Sequence, residues 1–325
     1  MDFRRIASLD AVPDALRGGV VATGNFDGVH RGHQAVLERA LDEARRRGAP
    51  ALALTFEPHP RAFFRPQDRL FRLTSPAMKA RLVDRLGFDA IVELPFDADF
   101  AGQSAETFVD RVLVDGLGIR QIVTGFNFHF GKNRRGGPAF LMQEGEARGF
   151  AVSLVDAFRD EGAEVVSSSR IRELLCAGDV AQAAGLLGYR YTVEGVVGHG
   201  RKLGRTLGFP TANMALPDDN GLRYGVYAVR LRRQDGSLHD GVASFGRRPT
   251  VTDVGEPLLE TFVFDFQADL YDERCEVSLF GFLRGEEKFD GLDALLAQMK
   301  RDEAEARALL SGVTPLSALD ARIAF

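Results

Sequence analysis

Up to about residue 187, short apolar runs alternate with stretches whose apolar residues return every three or four positions. The runs at 19–23, 51–56, 90–94, 121–125 and 151–155 have strand length, and helical spacing fills 34–47, 76–86, 105–116 and 138–148. Such alternation predicts an α/β fold: a parallel sheet covered by helices on both faces, binding ligands at the carboxyl ends of its strands. A short helix at 180–187 ends at Gly188, and there the pattern changes. Strand-like runs follow at 191–197, 224–233, 238–245, 258–266 and 274–283, with Asp235-Gly236 as a hairpin turn. Only 292–310 reads as a long helix, so the second half is expected to be a small antiparallel β-barrel with a terminal helix. Two domains are expected, 1–187 and 188–325.

Composition alters this picture little. Of 325 residues, 45% are hydrophobic and 27% charged, and the formal net charge is −5. Arg45-Arg46-Arg47 is the nearest approach to a basic block, and it ends a predicted helix, where cations suit the dipole. Nothing here calls for nucleic acid, an anionic membrane or an obligate protein partner. No apolar run approaches a membrane span, and the start lacks the apolar core of a signal peptide, so the expected location is cytoplasmic. Cys176 and Cys275 belong to no CxxC or Cys/His cluster, which argues against zinc or a disulfide framework. Both are expected to be small buried side chains.

The densest chemistry lies in Gly24-Asn25-Phe26-Asp27-Gly28-Val29-His30-Arg31-Gly32-His33, between the first strand and the first helix. A helix N-terminus presents unpaired N–H groups to an anion, and Gly24, Gly28 and Gly32 let a ligand approach the backbone. With Phe26 and Asp27 they form a candidate nucleotide cradle. His30 and His33, three apart, can both reach one side of the first helical turn. Two imidazoles there can donate to a phosphorus centre under attack and steady the charge on its oxygens. The plain alternative is a solvated, glycine-shaped turn.

Three further stretches fall at predicted strand ends or helix starts. Thr55-Phe56-Glu57-Pro58-His59-Pro60 makes a stiff exit from the second strand. Gly125-Phe126-Asn127-Phe128-His129-Phe130-Gly131-Lys132 sets three aromatics in five residues, suited to a planar heteroaromatic ligand or to core packing, with Asn127 as the polar contact. Ser167-Ser168-Ser169-Arg170-Ile171-Arg172 opens a helix whose serines can cap it or, with Arg172, clamp phosphate.

In the second half, Gly198-His199-Gly200-Arg201-Lys202-Leu203-Gly204-Arg205-Thr206-Leu207-Gly208-Phe209-Pro210-Thr211-Ala212-Asn213 gathers glycines and cations in one loop. Gly200, Lys202, Gly204, Arg205 and Pro210 are candidates to hold polyphosphate. Thr211 and Asn213, two apart on an extended chain, point the same way and can offer oxygen ligands to Mg²⁺. Glu260 interrupts the apolar run Leu259-Glu260-Thr261-Phe262-Val263, where a carboxylate is costly without a task or partner.

GNFDGVHRGH resembles the HxGH element of nucleotidyltransferases in the longer form found in bacterial bifunctional riboflavin kinase/FAD synthetases. HxGH alone also occurs in cytidylyltransferases and class I tRNA synthetases. GRTLGFPTAN resembles the riboflavin kinase motif, and the stretches at 241–250, 259–266, 269–271 and 284–289 are similar to the same family in the same order. The resemblance implies a nucleotidyltransferase-type Rossmann-like sheet followed by a kinase barrel. It implies ATP-dependent phosphorylation of riboflavin to FMN, then adenylylation of FMN to FAD with release of pyrophosphate. The flavins are then products rather than prosthetic groups, and Mg²⁺ accompanies ATP. It implies further that Pro58, Pro60 and Phe64 help wall a flavin site, that Glu260 is the base for the riboflavin 5′-hydroxyl, and that Arg284 helps hold flavin or nucleotide. Asn127 stands where many members have Asp, and Ser169 where the family pattern has Thr. The alternatives are a chain with one live activity, or a non-catalytic flavin- or nucleotide-binding module.

Overall fold

The computed structural model describes residues 3–199, 209–247 and 255–325. The chain forms two compact units, residues 1–168 and 169–325.

The first unit carries a six-stranded sheet of β1 (Arg4–Ile6), β2 (Val20–Thr23), β3 (Ala51–Glu57), β4 (Ala90–Pro95), β5 (Gln121–Gly125) and β6 (Ala151–Val155). The spatial order is β1-β4-β3-β2-β5-β6 and every pairing is parallel. The strand order reverses beside β2, which pairs with β3 on one side and β5 on the other. In open parallel sheets the crevice at such a switch point is where ligands bind. All four residues of β2 are buried, as a central strand covered on both faces requires.

Between strands run α1 (Arg31–Arg47), α2 (Pro60–Phe64), α3 (Pro76–Leu86), α4 (Ala98–Gly102), α5 (Ala105–Phe108) and α6 (Pro138–Arg148). α1 begins three residues earlier than its apolar spacing predicts, because His30 caps it, and it ends at Gly48 in the left-handed conformation. The helix expected over 105–116 changes at Val109 into a wider π-type turn. The three-residue edge strand β1 was not foreseen, because so short a run cannot show a period.

The second unit begins on α7 (Ser168–Ala177) and α8 (Val180–Leu187). Barrel-side partners hold them: Arg223 donates to Ala177 O at 3.0 Å and to Leu175 O at 3.1 Å. Strands β7 (Thr192–Gly198), β8 (Thr211–Ala215), β9 (Gly225–Arg232), β10 (Leu238–Arg247), β11 (Pro257–Val263) and β12 (Arg274–Arg284) close an antiparallel barrel in the order β10-β11-β8-β7-β12-β9. The β9–β10 hairpin turns at Asp235-Gly236, with Gly236 at φ 88°. β11 alternates strictly: Leu259, Thr261 and Val263 are buried, while Leu258, Glu260 and Phe262 face the opposite side. On the outer face lie α9 (Leu292–Ser311) and, near the chain end, α10 (Ala318–Ala324). Cys275 is buried as expected, whereas Cys176 is exposed, because it falls on the solvent side of α7.

Candidate active sites

At the switch point the chain leaves β2 through a backbone that ordinary residues rarely adopt. Phe26 has φ 48° and Val29 φ 37°, and Gly28 between them has φ 84°. Positive φ at a β-branched residue is a true outlier, of a kind that persists only where surroundings over-determine it. Here they do. Asp27, 2% exposed, accepts from Leu73 N at 3.0 Å and Thr74 N at 3.2 Å. Gly28 N donates to Thr74 Oγ1 at 3.1 Å, and Gln34 Nε2 to Val29 O at 2.7 Å. Ser168 Oγ donates to Asp27 O at 2.9 Å.

This framework sets the two histidines face to face. Their ring centroids are 3.7 Å apart with planes inclined 17°. His33 N donates to His30 Nδ1 at 3.3 Å, so the His30 proton resides on Nε2. The Phe26 ring meets His33 edge-on at 5.5 Å. A Cβ at Gly32 would lie 3.2 Å from the His30 ring. His33 Nδ1 is buried with no hydrogen-bond partner among the described residues. Burial above all, then His30, Lys79 and His59, holds its imidazole well below the usual histidine range. The result is an uncharged imidazole pair at a helix N-terminus.

Gly24 is half-buried at the end of β2, close against Phe26. Ser167 and Ser168 belong to the first unit; Ser169 and Arg172 stand further along α7 and count with the second.

Aromatic rings line the carboxyl ends of β3, β4 and β5. Phe64, 63% exposed, meets Phe96 at 5.7 Å, and contacts continue through Phe56, Phe100 and Phe108 to Phe130. Phe128 stacks on Phe130 at 5.4 Å, half-buried, while Phe130 belongs to the core. Pro58 and Asn127 are exposed and Pro60 half-buried. Packing and ligand contact, the two readings of the aromatic loop, are thus divided among its residues.

Three residues that were not among the site candidates stand close to the turn. Thr74 braces it, Thr55 Oγ1 donates to Asn25 O at 3.2 Å, and Lys79 Nζ donates to Thr55 at 3.2 Å. A signal for Lys79 existed: it interrupts the inward stripe of α3, between Met78 and Leu82.

In the second unit, Glu260 on β11 lies opposite Ser244 of β10 and Asn213 of β8. A cavity of about 290 Å³ opens on this outer face, lined by Glu260, Ser244, Val242, Phe262 and Phe209 and by Leu295 and Met299 of α9. Its wall is mixed, with Glu286, Glu287 and Asp302 beside the apolar side chains, and the apolar part suits a flat heteroaromatic ring. Arg284 also lines it, but its guanidinium is committed: Nε and Nη2 reach Asp302 at 2.9 and 2.8 Å, and Nη1 reaches Gly285 O at 3.0 Å. Asp302 also accepts from Gln298 at 2.7 Å, so Arg284 ties β12 to α9 across the cavity wall. Asn213 Nδ2 donates to Thr211 O at 3.0 Å, turning the amide oxygen the other way. Pro210 is exposed before β8, and Gly200, Lys202, Gly204 and Arg205 lie outside the described residues.

A nucleotidyltransferase-type sheet with a histidine turn at its switch point, followed by a closed barrel with a carboxylate on its cavity wall, defines a two-part nucleotide transferase. The family model for FAD synthetase matches residues 12–170, and that for riboflavin kinase residues 187–310. A bifunctional riboflavin kinase/FMN adenylyltransferase from Pseudomonas fluorescens is 43% identical over 90% of this chain and 93% of its own. One from Escherichia coli K12 is 37% identical over 94% of this chain and 96% of its own. The chain belongs to the family of bifunctional riboflavin kinase/FMN adenylyltransferases. A solved structure described as a macrolide-efflux protein from Streptococcus pneumoniae shares the fold, with TM-score 0.83 and 31% identity over 94% of this chain and 99% of that one. Among the described residues no helix is long and apolar enough to cross a membrane.

Proposed function

We propose that this chain makes FAD from riboflavin in two ATP-dependent steps, with phosphorylation assigned to residues 188–325 and adenylylation to residues 1–187. What carries the reading is that each half has its own chemistry: stacked His30 and His33 at the switch point, and a Glu260-lined cavity with aromatic walls beside the barrel.

In the first step the riboflavin 5′-hydroxyl attacks the γ-phosphorus of ATP, the bond from that phosphorus to the β-bridging oxygen breaks, and ADP leaves. Glu260 takes the hydroxyl proton, a contribution typically of about 10²–10⁴-fold. The isoalloxazine ring lies between the barrel's outer face and α9, against Phe209, Phe262 and Met299. The loop with Gly200, Lys202, Gly204, Arg205 and Pro210 holds the phosphates. Thr211 and Asn213 supply a hydroxyl and an amide oxygen, a donor set that fits Mg²⁺, which offsets phosphate charge when bound. Arg284 acts on the flavin indirectly, by fixing α9 through Asp302.

In the second step a phosphate oxygen of FMN attacks the α-phosphorus of a second ATP and pyrophosphate leaves. That nucleophile, with a second pKa of roughly 6, is already ionised at neutral pH, so positioning and charge stabilisation suffice. His30 Nε2–H and the His33 ring donate to the phosphate oxygens as charge grows on them, beside the backbone of Gly24, Phe26, Asp27, Gly28 and Gly32. Ser167, Ser168, Ser169 and Arg172 serve the same nucleotide. Pro58, Pro60, Phe64, Asn127 and Phe128 wall the flavin. The substrates are small molecules, and the setting is cytoplasmic.

The test is chromatography of flavins after incubation with riboflavin, ATP and Mg²⁺. Wild type gives FMN and then FAD, His33→Ala stops at FMN, and Glu260→Gln makes FAD only when supplied with FMN. Loss of both activities in a folded His33→Ala protein would refute the division into two sites.

A further inference from the structure

α3 buries Met78, Lys79, Ala80, Leu82 and Val83. Lys79 therefore stands on an inward stripe, with a side chain 0% exposed. An ammonium withdrawn from water is costly unless hydrogen bonds and opposite charge compensate it. Compensation here is thin: Thr55 Oγ1 at 3.2 Å, and Glu57 Oε2 at an ion-pair distance of 3.9 Å. Glu57 is shared, because Arg72 grips both its oxygens.

Thr55 links this charge to the turn. Its hydroxyl accepts from Lys79 and donates its only proton to Asn25 O at 3.2 Å. Asn25 lies in the strained segment that delivers His30 and His33. The ammonium thus braces that segment from beneath, while Asp27, Leu73 and Thr74 brace it from another side. We propose that Lys79 is a positioning residue of adenylyl transfer, holding the phosphate-facing turn through Thr55 and lending it a fixed positive charge. This rests on the assignment of adenylylation to the His30–His33 turn.

The charge has a stated range. Burial, then Arg72, brings Lys79 down to about 8, against the opposing pull of Glu57, Asp27 and Glu93. His33, faced by His30 and His59 as well, is held uncharged partly by Lys79. Below about pH 8 the ammonium is present; above it, both the donor to Thr55 and the positive potential are lost.

The experiment uses the full chain, measuring kcat and KM for FAD formation from FMN and ATP across pH, with FMN formation from riboflavin as an internal control. Lys79→Met keeps most of the stem and removes the charge. Its kcat for FAD formation is expected to fall on the order of 10- to 100-fold at low pH, the scale of a displaced reacting geometry, with FMN formation unchanged. The ratio of wild-type to variant rates then declines as pH rises through about 8. Thr55→Val removes the acceptor but retains the amine, so the charged form is harder to hold and the alkaline fall moves to lower pH. A ratio that is flat with pH, with only a lower melting temperature, overturns the proposal. Should Lys79→Met fail to fold, an unmoved alkaline limb in Thr55→Val overturns it equally. His33→Ala run in parallel separates the two levels: if it still makes FAD, the site assignment has failed; if it does not and the ratio is flat, only the role of Lys79 has.

Discussion

Replacing Asp27 by alanine distinguishes two meanings of a residue at the heart of the turn. The sequence reading makes it a nucleotide contact. In the structure its carboxylate accepts from Leu73 N at 3.0 Å and Thr74 N at 3.2 Å, with Thr74 Oγ1 at the long distance of 3.5 Å. Alanine would orphan two buried backbone donors. At roughly 1–3 kcal/mol for each unsatisfied group, the cost is about 2–6 kcal/mol. Set against a domain stability of roughly 5–15 kcal/mol, that is a large fraction. For a unit of this size 1 kcal/mol is worth roughly 2–4 °C, so the temperature at which FAD formation is irreversibly lost should fall by at least about 4 °C. FMN formation, followed in the same samples, supplies the internal reference. Asp27→Asn keeps an acceptor oxygen and should lose much less. The reasoning fails if Asp27→Ala inactivates at the wild-type temperature and yet no longer binds ATP; the carboxylate would then act on the nucleotide and not on the 73–74 backbone.

Three other outcomes follow from particular contacts. Asp320, 0% exposed, holds Arg190 N and Nη1 at 2.7 Å and Leu316 N at 2.9 Å. Asp320→Ala should therefore destabilise the barrel unit by about 3–5 kcal/mol, read as earlier thermal loss of FMN formation. His33 is held below the usual histidine range, so its neutral form persists as pH falls through about 6.5. FAD formation should show no loss at that pH attributable to His33, and an NMR titration of the His33 ring with a midpoint near 6.5 would contradict this. Asn213→Ala should raise the Mg²⁺ needed for half-maximal FMN formation, and an unchanged metal titration would remove Asn213 as a ligand.

How much of this could be read beforehand depended on whether a residue's task is local. The strand–turn–helix around His30 and His33 is written in contiguous residues, so its existence and its two rings were legible. The strained φ at Phe26 and Val29 was not, because it is imposed by Thr74, Gln34 and Ser168, which reach the turn only in the fold. Five of the six sheet strands announce themselves as apolar runs, and the sixth, Arg4–Ile6, depends on pairing with β4. β8 was hidden by composition, since Thr211 and Asn213 weaken its apolar signal; its pairing with β11 makes it a strand. The α10 helix, Ala318–Ala324, is too short to show a period and is fixed by Asp320. Glu260 could be singled out as a charge in an apolar run, whereas the same signal at Lys79 went unread because a lysine in a helix usually snorkels to water. Arg284 illustrates the opposite limit: its identity suggests a ligand contact, and only the fold reveals that Asp302 engages it.

The nature of each nucleophile accounts for where this chain spends its carboxylates. In the sheet unit the acidic groups at the strand ends are tied to protein partners. Asp27 accepts from the 73–74 backbone, Glu57 is gripped by Arg72, and Glu93 by Arg5. Each is thereby kept from accepting a proton from a substrate, and none needs to, because a phosphate monoester attacks as an anion. A carboxylate turned toward the reacting phosphates there would repel both substrates. Basic groups occupy that space instead: His30, His33, His59 and, beneath them, Lys79. In the barrel unit the nucleophile is a neutral alcohol, which must lose its proton as it attacks. There a single glutamate interrupts an apolar strand, with its neighbours Ser244 and Asn213 uncharged. Of the other acidic residues lining that cavity, Glu286, Glu287 and Asp302, Asp302 is paired with Arg284. Exchanging these arrangements would disable both steps, since a carboxylate placed at the histidine turn repels ATP and FMN, and a kinase site without one lacks the acceptor for the alcohol's proton.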